Sequence, residues 1–308
     1  MKIVFLDAAT MGDVSFAPIE RLGEFIMYQT STQEQAKERA AGCDVLIINK
    51  IRVDANLIDS LPSLKLICEA ATGVNNIDLE YAASKGIPVR NAVGYSTQSV
   101  VQATFMHILS LTGCAPYYDE CVKSGKYSKS GIFTDVSVNW DELAGRTLGI
   151  VGMGNIGSKV ASVAEAFGMK VVYYSTSGTS HCKAYPSLPL DEFLSVSDIV
   201  SVHAPLNNRT KGLIGAREIA GMKKGAFLVN MGRGGIVDEA ALAQAIDSEH
   251  LAGAALDVFE VEPLPEDSPL LKLAHPERVR FAPHVAWASC QARQRLVDQI
   301  AANIEMGW

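Results

Sequence analysis

The stretch Leu148–Gly157, which reads LGIVGMGNIG, decides the fold of this 308-residue chain. It is an apolar run that leads into a G-x-G-x-x-G sequence at Gly152, Gly154 and Gly157, and a helical pattern continues from Ser158 to Phe167. The first glycine permits the tight turn from strand to helix, the second lets backbone approach a pyrophosphate, and the third lets helix and strand pack closely. Because the phosphates would lie at the helix N-terminus, the stretch predicts a dinucleotide site.

Nearly half of the chain precedes this stretch and carries an α/β pattern of its own. Short apolar runs alternate there with amphipathic segments, which indicates a parallel sheet with crossover helices. A second α/β series starts at Leu148, and an amphipathic last segment, Gln291 to Glu305, would return to the first domain. We therefore expect an α/β protein with two Rossmann-like or flavodoxin-like parallel sheets. The dinucleotide domain, residues 97–287, would be inserted into a domain of residues 1–96 and 288–308, with the active site in the cleft.

The segment that joins the two series is a candidate contact surface. Residues 97–111 form one long apolar helical pattern, which suggests burial against a neighbouring domain or subunit. A loop rich in Ser, Gly and Tyr follows from Gly113 to Asn139.

The composition is that of an ordinary globular protein, with 48% hydrophobic and 20% charged residues. A net charge of -7 and the lack of a Lys/Arg cluster argue against a nucleic-acid partner. No segment has the roughly 18–20 apolar residues needed to cross a bilayer, and Asp7 interrupts the first apolar run too early for a signal peptide. Six scattered cysteines without a C-x-x-C pair indicate reduced thiols. We expect a cytoplasmic protein with no membrane partner and no bound metal.

Three polar residues follow strands of the second series, where ligands bind in open α/β sheets. Arg233 lies between glycines that would let a ligand approach, Glu262 lies in an acidic loop, and His284 follows a short apolar strand. Taken singly, Arg233 is as readily a surface arginine on a turn, whereas Glu262 is more often a solvated acid and His284 more often a structural histidine.

Taken together, the three residues fit the reduction of a carbonyl by hydride. That reaction needs a proton donor for the developing alkoxide and a cation near the oxygen. A histidine beside a glutamate supplies the donor, because the carboxylate favours the protonated imidazole. An arginine supplies the cation and holds a substrate carboxylate through two parallel hydrogen bonds.

Separated motifs in the same order resemble the D-2-hydroxyacid dehydrogenases over nearly the whole chain. The motifs are Ala71–Asn76, Gly152–Gly157, Val202–Leu206, Asn230–Gly235, Asp257–Pro263 and Pro283–His284. The resemblance implies an oxidoreductase that uses NAD or NADP. It also implies that Arg233 binds the substrate carboxylate, that His284 is the acid/base, and that Glu262 is its partner.

Within that family, four segments look most like the glycerate dehydrogenase/hydroxypyruvate reductase branch: Ile48–Lys50, Ala71–Asn76, Gly94–Thr97 and His284–Ser289. This resemblance implies reduction of hydroxypyruvate or glyoxylate to D-glycerate or glycolate. The backbone amides of Thr72 and Gly73 would surround the substrate carboxylate, and Lys50 and Trp287 would face the substrate. From the residues alone, Lys50 is equally well a lysine in solvent, and Trp287 a packing aromatic.

The resemblance also implies a set of cofactor contacts at strand ends, with Asp257 beside the nicotinamide carboxamide. The set is Thr97, Gly152, Gly154, Asn155, Ile156, Gly157, Ser175, Thr176, His203, Ala204, Pro205, Thr210, Met231, Gly232 and Asp257. Many NAD-preferring relatives carry an acid after the second strand, where this chain reads Tyr174–Ser177. Hydroxyls there would bind a 2′-phosphate, but no arginine stands beside them and Lys183 is several residues away. NAD and NADP both stay open.

Two other functions stay open as well. One is another enzyme of the family, such as a D-lactate or a 3-phosphoglycerate dehydrogenase, although the latter would need cations beyond Lys50 for its phosphate. The other is a nucleotide-sensing regulator like the C-terminal-binding-protein corepressors, which carry the same arginine, glutamate and histidine. The compact chain, without a peptide-binding extension, favours an enzyme.

The resemblance further implies a homodimer. Relatives build their dimer interface from the cofactor domains, and the apolar helix at residues 97–111 with the loop to Asn139 fits that use. Relatives also usually continue past the last helix into a tail that rejoins the first domain, whereas this sequence stops at Trp308. A trimmed tail would slightly loosen the closure of that domain.

Overall fold

Two parallel sheets, each in its own compact unit, make up the structure, a computed structural model that describes all residues from Met1 to Trp308. The first unit is Met1–Ser96 with Trp287–Trp308, and the second is Thr97–Ala286. The chain thus leaves the first unit after Ser96 and returns to it at Trp287. We predicted Trp287 at the end of the inserted domain, but the structure places it in the first unit, where it packs on the core.

The elements are numbered in chain order, without the short 3-10 turns. The strands are β1 (Lys2–Phe5), β2 (Glu24–Met27), β3 (Val45–Ile48), β4 (Leu66–Glu69), β5 (Val89–Arg90), β6 (Thr147–Val151), β7 (Lys170–Tyr174), β8 (Ile199–Val202), β9 (Phe227–Asn230), β10 (Gly253–Leu256) and β11 (Val279–Phe281). The helices are α1 (Ala17–Glu20), α2 (Gln33–Arg39), α3 (Ala55–Asp59), α4 (Leu79–Ser84), α5 (Thr97–Thr112), α6 (Ala115–Lys123), α7 (Asn155–Ala166), α8 (Leu190–Val196), α9 (Ala216–Ala220), α10 (Glu239–Asp247) and α11 (Cys290–Glu305).

The first sheet has the strand order β2-β1-β3-β4-β5, which is the order of flavodoxin-like folds. β3 is buried along its whole length, as expected for a parallel strand covered by helices on both faces. Along β4, Leu66 and Cys68 pack with α11, whereas Ile67 packs with residues of α2, α3 and α4. The chain places β2 on one side of β1 and β3 on the other side. Residues that follow β1 and β3 therefore lie where ligands bind in such folds.

The second sheet has the strand order β11-β10-β9-β8-β6-β7. A single parallel bridge between Tyr173 and Ser187 extends it beyond β7, which gives the strand order of dinucleotide-binding folds. β6 lies between β7 and β8, because the chain places β7 on one side of β6 and β8 on the other. The glycine stretch leaves the sheet at the end of β6, between these two neighbours. The two parallel sheets confirm the predicted fold class.

The segment from Gly113 to Asn139, predicted as a loop, contains a helix. α6 has Pro116 in its first turn, where a missing amide costs nothing. Two neighbouring tyrosines of α6 hydrogen-bond to residues 135–138. The polar side chains that suggested a loop therefore tie the helix to the segment that follows it.

α5 carries more apolar surface than the chain covers. Val101, Phe105 and Ile108 are buried, but Met106 is 56% and Leu109 is 41% exposed. The helix packs on α7 and on β9, β10 and β11 of its own unit. Neither α5 nor any other helix combines the length and the apolar character that a membrane crossing requires.

Candidate active site

The carboxyl ends of three neighbouring strands carry the residues that we predicted to do chemistry. β9, β10 and β11 lie side by side, and Arg233, Glu262 and His284 follow them in that order. Neighbouring strands are about 4.8 Å apart, so residues that leave their ends come to one edge of the sheet. All three residues therefore lie at the carboxyl edge of the second sheet.

Glu262 and His284 form a hydrogen-bonded pair at this edge. His284 Nδ1 donates to Glu262 Oε2 across 2.8 Å, and Glu262 Oε1 accepts the backbone amide of Phe259 at 3.0 Å. The two side chains are only 32% and 27% exposed, respectively. Because the carboxylate holds Nδ1, the other ring nitrogen of His284, Nε2, is the one available to a reacting group.

The backbone of His284 is held in a left-handed conformation by Asp257. His284 has φ 55°, which is uncommon for a residue other than glycine, and its amide donates to the Asp257 carbonyl at 2.7 Å. The buried Asp257 carboxylate accepts the amides of Val285 at 2.8 Å and Ala286 at 2.9 Å. Burial raises the pKa of Asp257, although the two amide bonds oppose that change. Asp257 thus positions the turn that aims the imidazole.

Arg233 presents a guanidinium without an acidic partner. The side chain is exposed, forms no ion pair, and donates only to the Gly232 carbonyl, at 2.8 Å. The buried Asn230 shapes the turn, since its side chain donates to the Arg233 carbonyl and accepts the Gly232 amide. An unpaired guanidinium on a rigid turn is suited to binding a carboxylate through two hydrogen bonds.

The glycine stretch forms a cradle that fits a pyrophosphate. Gly152 has φ 92°, and a Cβ added at Gly157 would lie 2.2 Å from the Gly152 carbonyl oxygen, so the helix touches the turn only because Gly157 has no side chain. A Cβ at Gly154 would meet nothing within 4 Å, which marks the open side of the turn. α7 starts there without a side-chain cap and without an acid in its first turn. Its first amides and the positive end of its dipole are therefore available to phosphate oxygens.

The segment after β8 begins with an uncharged histidine and is held by a buried threonine. His203 Nε2 hydrogen-bonds to Ser201 Oγ at 2.8 Å, while its buried Nδ1 has no partner. Burial lowers the pKa of His203 to about 3, so the ring is neutral. The buried Thr210 hydroxyl donates to the Pro205 carbonyl at 2.6 Å and therefore shapes the loop. A Cβ at Gly232 would lie 2.8 Å from the Ala204 carbonyl oxygen, which brings the turns after β8 and β9 into contact.

An arginine stands beside the hydroxyls that follow β7, contrary to our expectation. The guanidinium of Arg209 donates through Nη1 to the carbonyl of Ser177, although the two residues are 32 positions apart. Sequence reasoning missed Arg209 because only the fold brings the loop after β8 against the turn after β7. Ser175 and Thr176 are half-buried in the same turn.

In the first unit, Asp7 fixes the backbone that carries Lys50. Its carboxylate accepts the amides of Asn49 at 2.8 Å, Lys50 at 2.5 Å and Ile51 at 3.0 Å. The Lys50 side chain is exposed and makes no ion pair. Lys50 is therefore a cation on a fixed backbone with a free ammonium group.

The loop Ala71–Asn76 offers backbone donors at the end of β4. None of its amides donates to an acceptor within the chain. The Thr72 hydroxyl donates to the Ala92 carbonyl at 2.8 Å, and the Thr72 carbonyl accepts the Asn91 side chain at 2.6 Å, so the loop is held from the side of β5. The amides of Thr72 and Gly73 are accordingly ordered and unsatisfied.

A carboxyl that sequence reasoning overlooked lies beneath this loop. Glu69, the last residue of β4, is fully buried; its Oε2 accepts the Asn76 side-chain amide at 3.0 Å and its Oε1 has no partner. Burial raises the pKa of Glu69 to about 8, so the group is protonated at neutral pH. The alternation of side chains along β4 could have revealed this buried carboxyl, because it puts Glu69 on the same inward face as Ile67.

Thr97 is the first residue of the second unit, and Trp287 is the residue at which the chain returns to the first unit. Trp287 is half-buried and meets Tyr95 edge to face, with ring centroids 6.3 Å apart. This contact favours the packing interpretation of Trp287 over a direct role at the substrate. Thr97 is the half-buried first residue of α5.

Known proteins match this chain over its whole length. The family described as D-isomer specific 2-hydroxyacid dehydrogenase, NAD binding domain, matches residues 105–286. The glycerate dehydrogenase of Methylorubrum extorquens is 36% identical over 308 residues, which cover 99% of this chain and 95% of the relative. The hydroxypyruvate reductase of Blautia hydrogenotrophica is 33% identical, with 99% and 96% covered. The structure of an NADPH-dependent glyoxylate/hydroxypyruvate reductase from Sinorhizobium meliloti, in complex with NADP and malonate, superposes with a TM-score of 0.82 at 27% identity, covering 99% of this chain and 92% of the other.

Proposed function

Since the chain belongs to the D-isomer specific 2-hydroxyacid dehydrogenases, we propose that it reduces a small 2-keto acid, hydroxypyruvate or glyoxylate in preference, to D-glycerate or glycolate. The observation that carries this proposal is the Glu262–His284 pair at the same sheet edge as the unpaired Arg233. Relatives named for these two substrates support the choice of substrate. As in its family, the chain is an oxidoreductase that uses NAD or NADP.

In this mechanism the bound nicotinamide cofactor supplies a hydride for the carbonyl carbon of the substrate. His284 Nε2 donates a proton to the carbonyl oxygen as that oxygen becomes an alkoxide, so hydride and proton together give the alcohol. Glu262 accepts Nδ1–H of His284 and stabilises the imidazolium before the proton leaves. Arg233 holds the substrate carboxylate and polarises the carbonyl.

The first unit carries groups that are suited to binding an anion. The unsatisfied amides of Thr72 and Gly73 are suited to a carboxylate, which is best bound by ordered N–H donors. Lys50 adds a positive charge on a fixed backbone. Trp287 supports this edge by packing against Tyr95 and is not assigned a substrate contact.

The cofactor is held mainly by backbone. The cradle at Gly152–Gly157 and the first amides of α7, at Asn155 and Ile156, would bind the pyrophosphate. The turns after β8 and β9 touch at Ala204 and Gly232 and would hold the nicotinamide half. Asp257 would face the nicotinamide carboxamide, and it positions the His284 turn.

Reduction of hydroxypyruvate, glyoxylate and pyruvate with NADH and with NADPH, followed at the absorbance band of the reduced nicotinamide, tests the proposal. We expect faster turnover of the first two substrates. His284→Ala should lower kcat by roughly 10³-fold, because the alkoxide loses its proton donor, while cofactor affinity stays nearly unchanged. His275→Ala, at a histidine outside the site, is the matched control.

Three outcomes contradict parts of the proposal. Preference for pyruvate would indicate a D-lactate dehydrogenase, and full turnover by His284→Ala would mean that another group donates the proton. Tight cofactor binding without turnover of any keto acid would indicate a nucleotide-sensing regulator on the same scaffold.

The chain also forms a homodimer in this proposal. Exposed apolar residues continue from α5 into the segment that follows α6: Met106, Leu109, Ile132, Phe133, Val136 and Trp140 are exposed. A second copy of the chain would cover these residues, since exposed apolar side chains that lie together mark interaction surfaces. A cytoplasmic location without nucleic-acid or membrane partners stays a prediction from the sequence.

A further inference from the structure

The turn that follows β7 gathers hydroxyl groups and contains no acid. Ser175 Oγ and Ser177 Oγ lie 3.2 Å apart, and each donates to the Thr179 carbonyl, at 2.6 Å and 3.1 Å. Thr179 Oγ1 is in turn 2.9 Å from His181 Nε2. No aspartate or glutamate occurs between Tyr174 and Tyr185. The turn therefore carries several hydroxyl groups and no negative charge that would repel an anion.

Arg209 brings a positive charge to this turn. Its Nη1 donates to the Ser177 carbonyl, and a Cβ added at Gly178 would lie 3.3 Å from the same nitrogen. Arg209 forms no ion pair, so its charge is not neutralised by the protein. The base of the side chain is fixed as well, because its amide donates to Asn207 Oδ1 at 2.9 Å in the loop shaped by Thr210.

The turn lies next to the pyrophosphate cradle. β6 and β7 pair with Val151 opposite Tyr174, and the amide of Gly152 donates to the Tyr174 carbonyl at 3.1 Å. Ser175 therefore leaves the sheet beside the first glycine of the cradle. In dinucleotide-binding folds this strand end receives the adenosine ribose, whose 2′-hydroxyl is bound by an acid for NAD and whose 2′-phosphate is accommodated by an arginine for NADP.

We propose that Arg209, together with the hydroxyls of Ser175 and Ser177, binds the 2′-phosphate of NADP(H) and makes this chain prefer NADPH over NADH. The inference rests on the proposed function, because it assumes that the cradle at Gly152 holds a dinucleotide. The guanidinium nitrogens that do not contact Ser177 supply charge-assisted donors to the phosphate, and the serine hydroxyls supply neutral ones by rotating away from the Thr179 carbonyl. NADH brings no 2′-phosphate for these groups and finds no carboxylate for its 2′-hydroxyl.

Cofactor binding without substrate tests the inference. The fluorescence of the reduced nicotinamide reports binding of NADPH and NADH to the full chain, and competition with 2′,5′-ADP and 5′-AMP reports on the phosphate alone. We expect the wild type to bind NADPH at least about tenfold more tightly than NADH, a difference of the size that one charge-assisted interaction gives. 2′,5′-ADP should displace NADPH at a correspondingly lower concentration than 5′-AMP.

Arg209→Gln should remove most of this difference, weakening NADPH about tenfold or more while NADH affinity changes less than about threefold. Arg217→Gln, at an exposed arginine of the same unit that pairs with Asp191, is the matched control and should change neither affinity. Ser175→Asp should reverse the preference, since a carboxylate there repels a 2′-phosphate and accepts a 2′-hydroxyl.

The outcomes separate this inference from the proposed function. Equal wild-type affinities for the two cofactors, or an equal loss of both in Arg209→Gln, would overturn the 2′-phosphate site while leaving keto-acid reduction intact. Selective NADPH binding by a chain that reduces no keto acid would support the 2′-phosphate site and contradict the proposed function. Binding of neither cofactor would refute both.

Discussion

Asp7 in the first unit and Asp257 in the second make the same kind of contact at the carboxyl edges of their sheets. Each follows a strand and accepts consecutive backbone amides from the segment that leaves the neighbouring strand. Asp7 thereby fixes the backbone of Lys50, and Asp257 fixes that of His284. One carboxylate that accepts several backbone amides holds a loop at a sheet edge through several charge-assisted hydrogen bonds at once.

The two edges differ in the partners of the side chains that these aspartates position. Asp257 is buried and His284 has a second carboxylate, Glu262, on its ring, whereas Asp7 is half-buried and Lys50 has no partner at all. An oriented ring suits proton transfer, which depends on the position of one atom. A free ammonium suits the attraction of an anion, which depends mainly on distance. The difference fits the roles that we propose, namely proton transfer at the second edge and attraction of the substrate anion at the first.

Replacing Glu262 tests the difference between the two edges most directly, because only the second edge has a carboxylate on the ring of its histidine. Glu262→Gln keeps the shape of the pair but removes the charge that stabilises the imidazolium, so we expect kcat to fall by roughly 10²-fold with little change in KM. Steady-state kinetics with hydroxypyruvate measures this, and Glu260→Gln, at the exposed neighbour, is the control. If kcat stayed within a factor of about two, the pair would be structural and proton transfer would lie elsewhere.

Removing the free ammonium tests the other half of the comparison. Lys50→Ala should raise KM for hydroxypyruvate about tenfold and change kcat less than about threefold, because attraction of the anion precedes the chemical step. The wild-type KM should rise with salt more steeply than that of the variant. Lys37→Ala, at an exposed lysine of α2 in the same unit, serves as the control. A loss confined to kcat would show that Lys50 acts on the reacting carbonyl and not on substrate capture.

The sequence predicted the strands, their parallel arrangement and the Glu262–His284 pair, because those features depend on local period and on strand-end position. It failed where contacts are made across long stretches of chain. Arg209 reaches Ser177 from a loop 32 residues away, and no local pattern marks that approach. The amide contacts of Asp7 were likewise missed, because an aspartate after a first strand has the same local pattern whether it is solvated or bound to the loop after β3.

Glu69 adds a difference between the two edges that depends on pH. It is a buried carboxyl at the first edge, and the proposed mechanism gives it no role. Its pKa is raised by burial to about 8 from a usual 4.5. Between these values the folded chain keeps the proton that the unfolded chain releases, so the contribution of this group to stability is full below pH 4.5 and declines as the pH rises through about 8. The groups that face it are Asp7, which opposes its ionisation, and Lys50 with Asn76, which favour it.

Glu69→Gln cannot ionise and should escape that decline. The difference in Tm between variant and wild type should be close to zero at pH 5 and should grow to several degrees in favour of the variant near pH 9, of order a few kcal/mol of unfolding free energy. Thermal unfolding across this pH range measures the difference, with Glu80→Gln on the exposed face of α4 as a control that should show no such trend. A constant difference at every pH would mean that Glu69 is already ionised in the folded chain. The first edge would then hold a buried negative charge beside Lys50, and its capacity to attract a substrate anion would be correspondingly weaker.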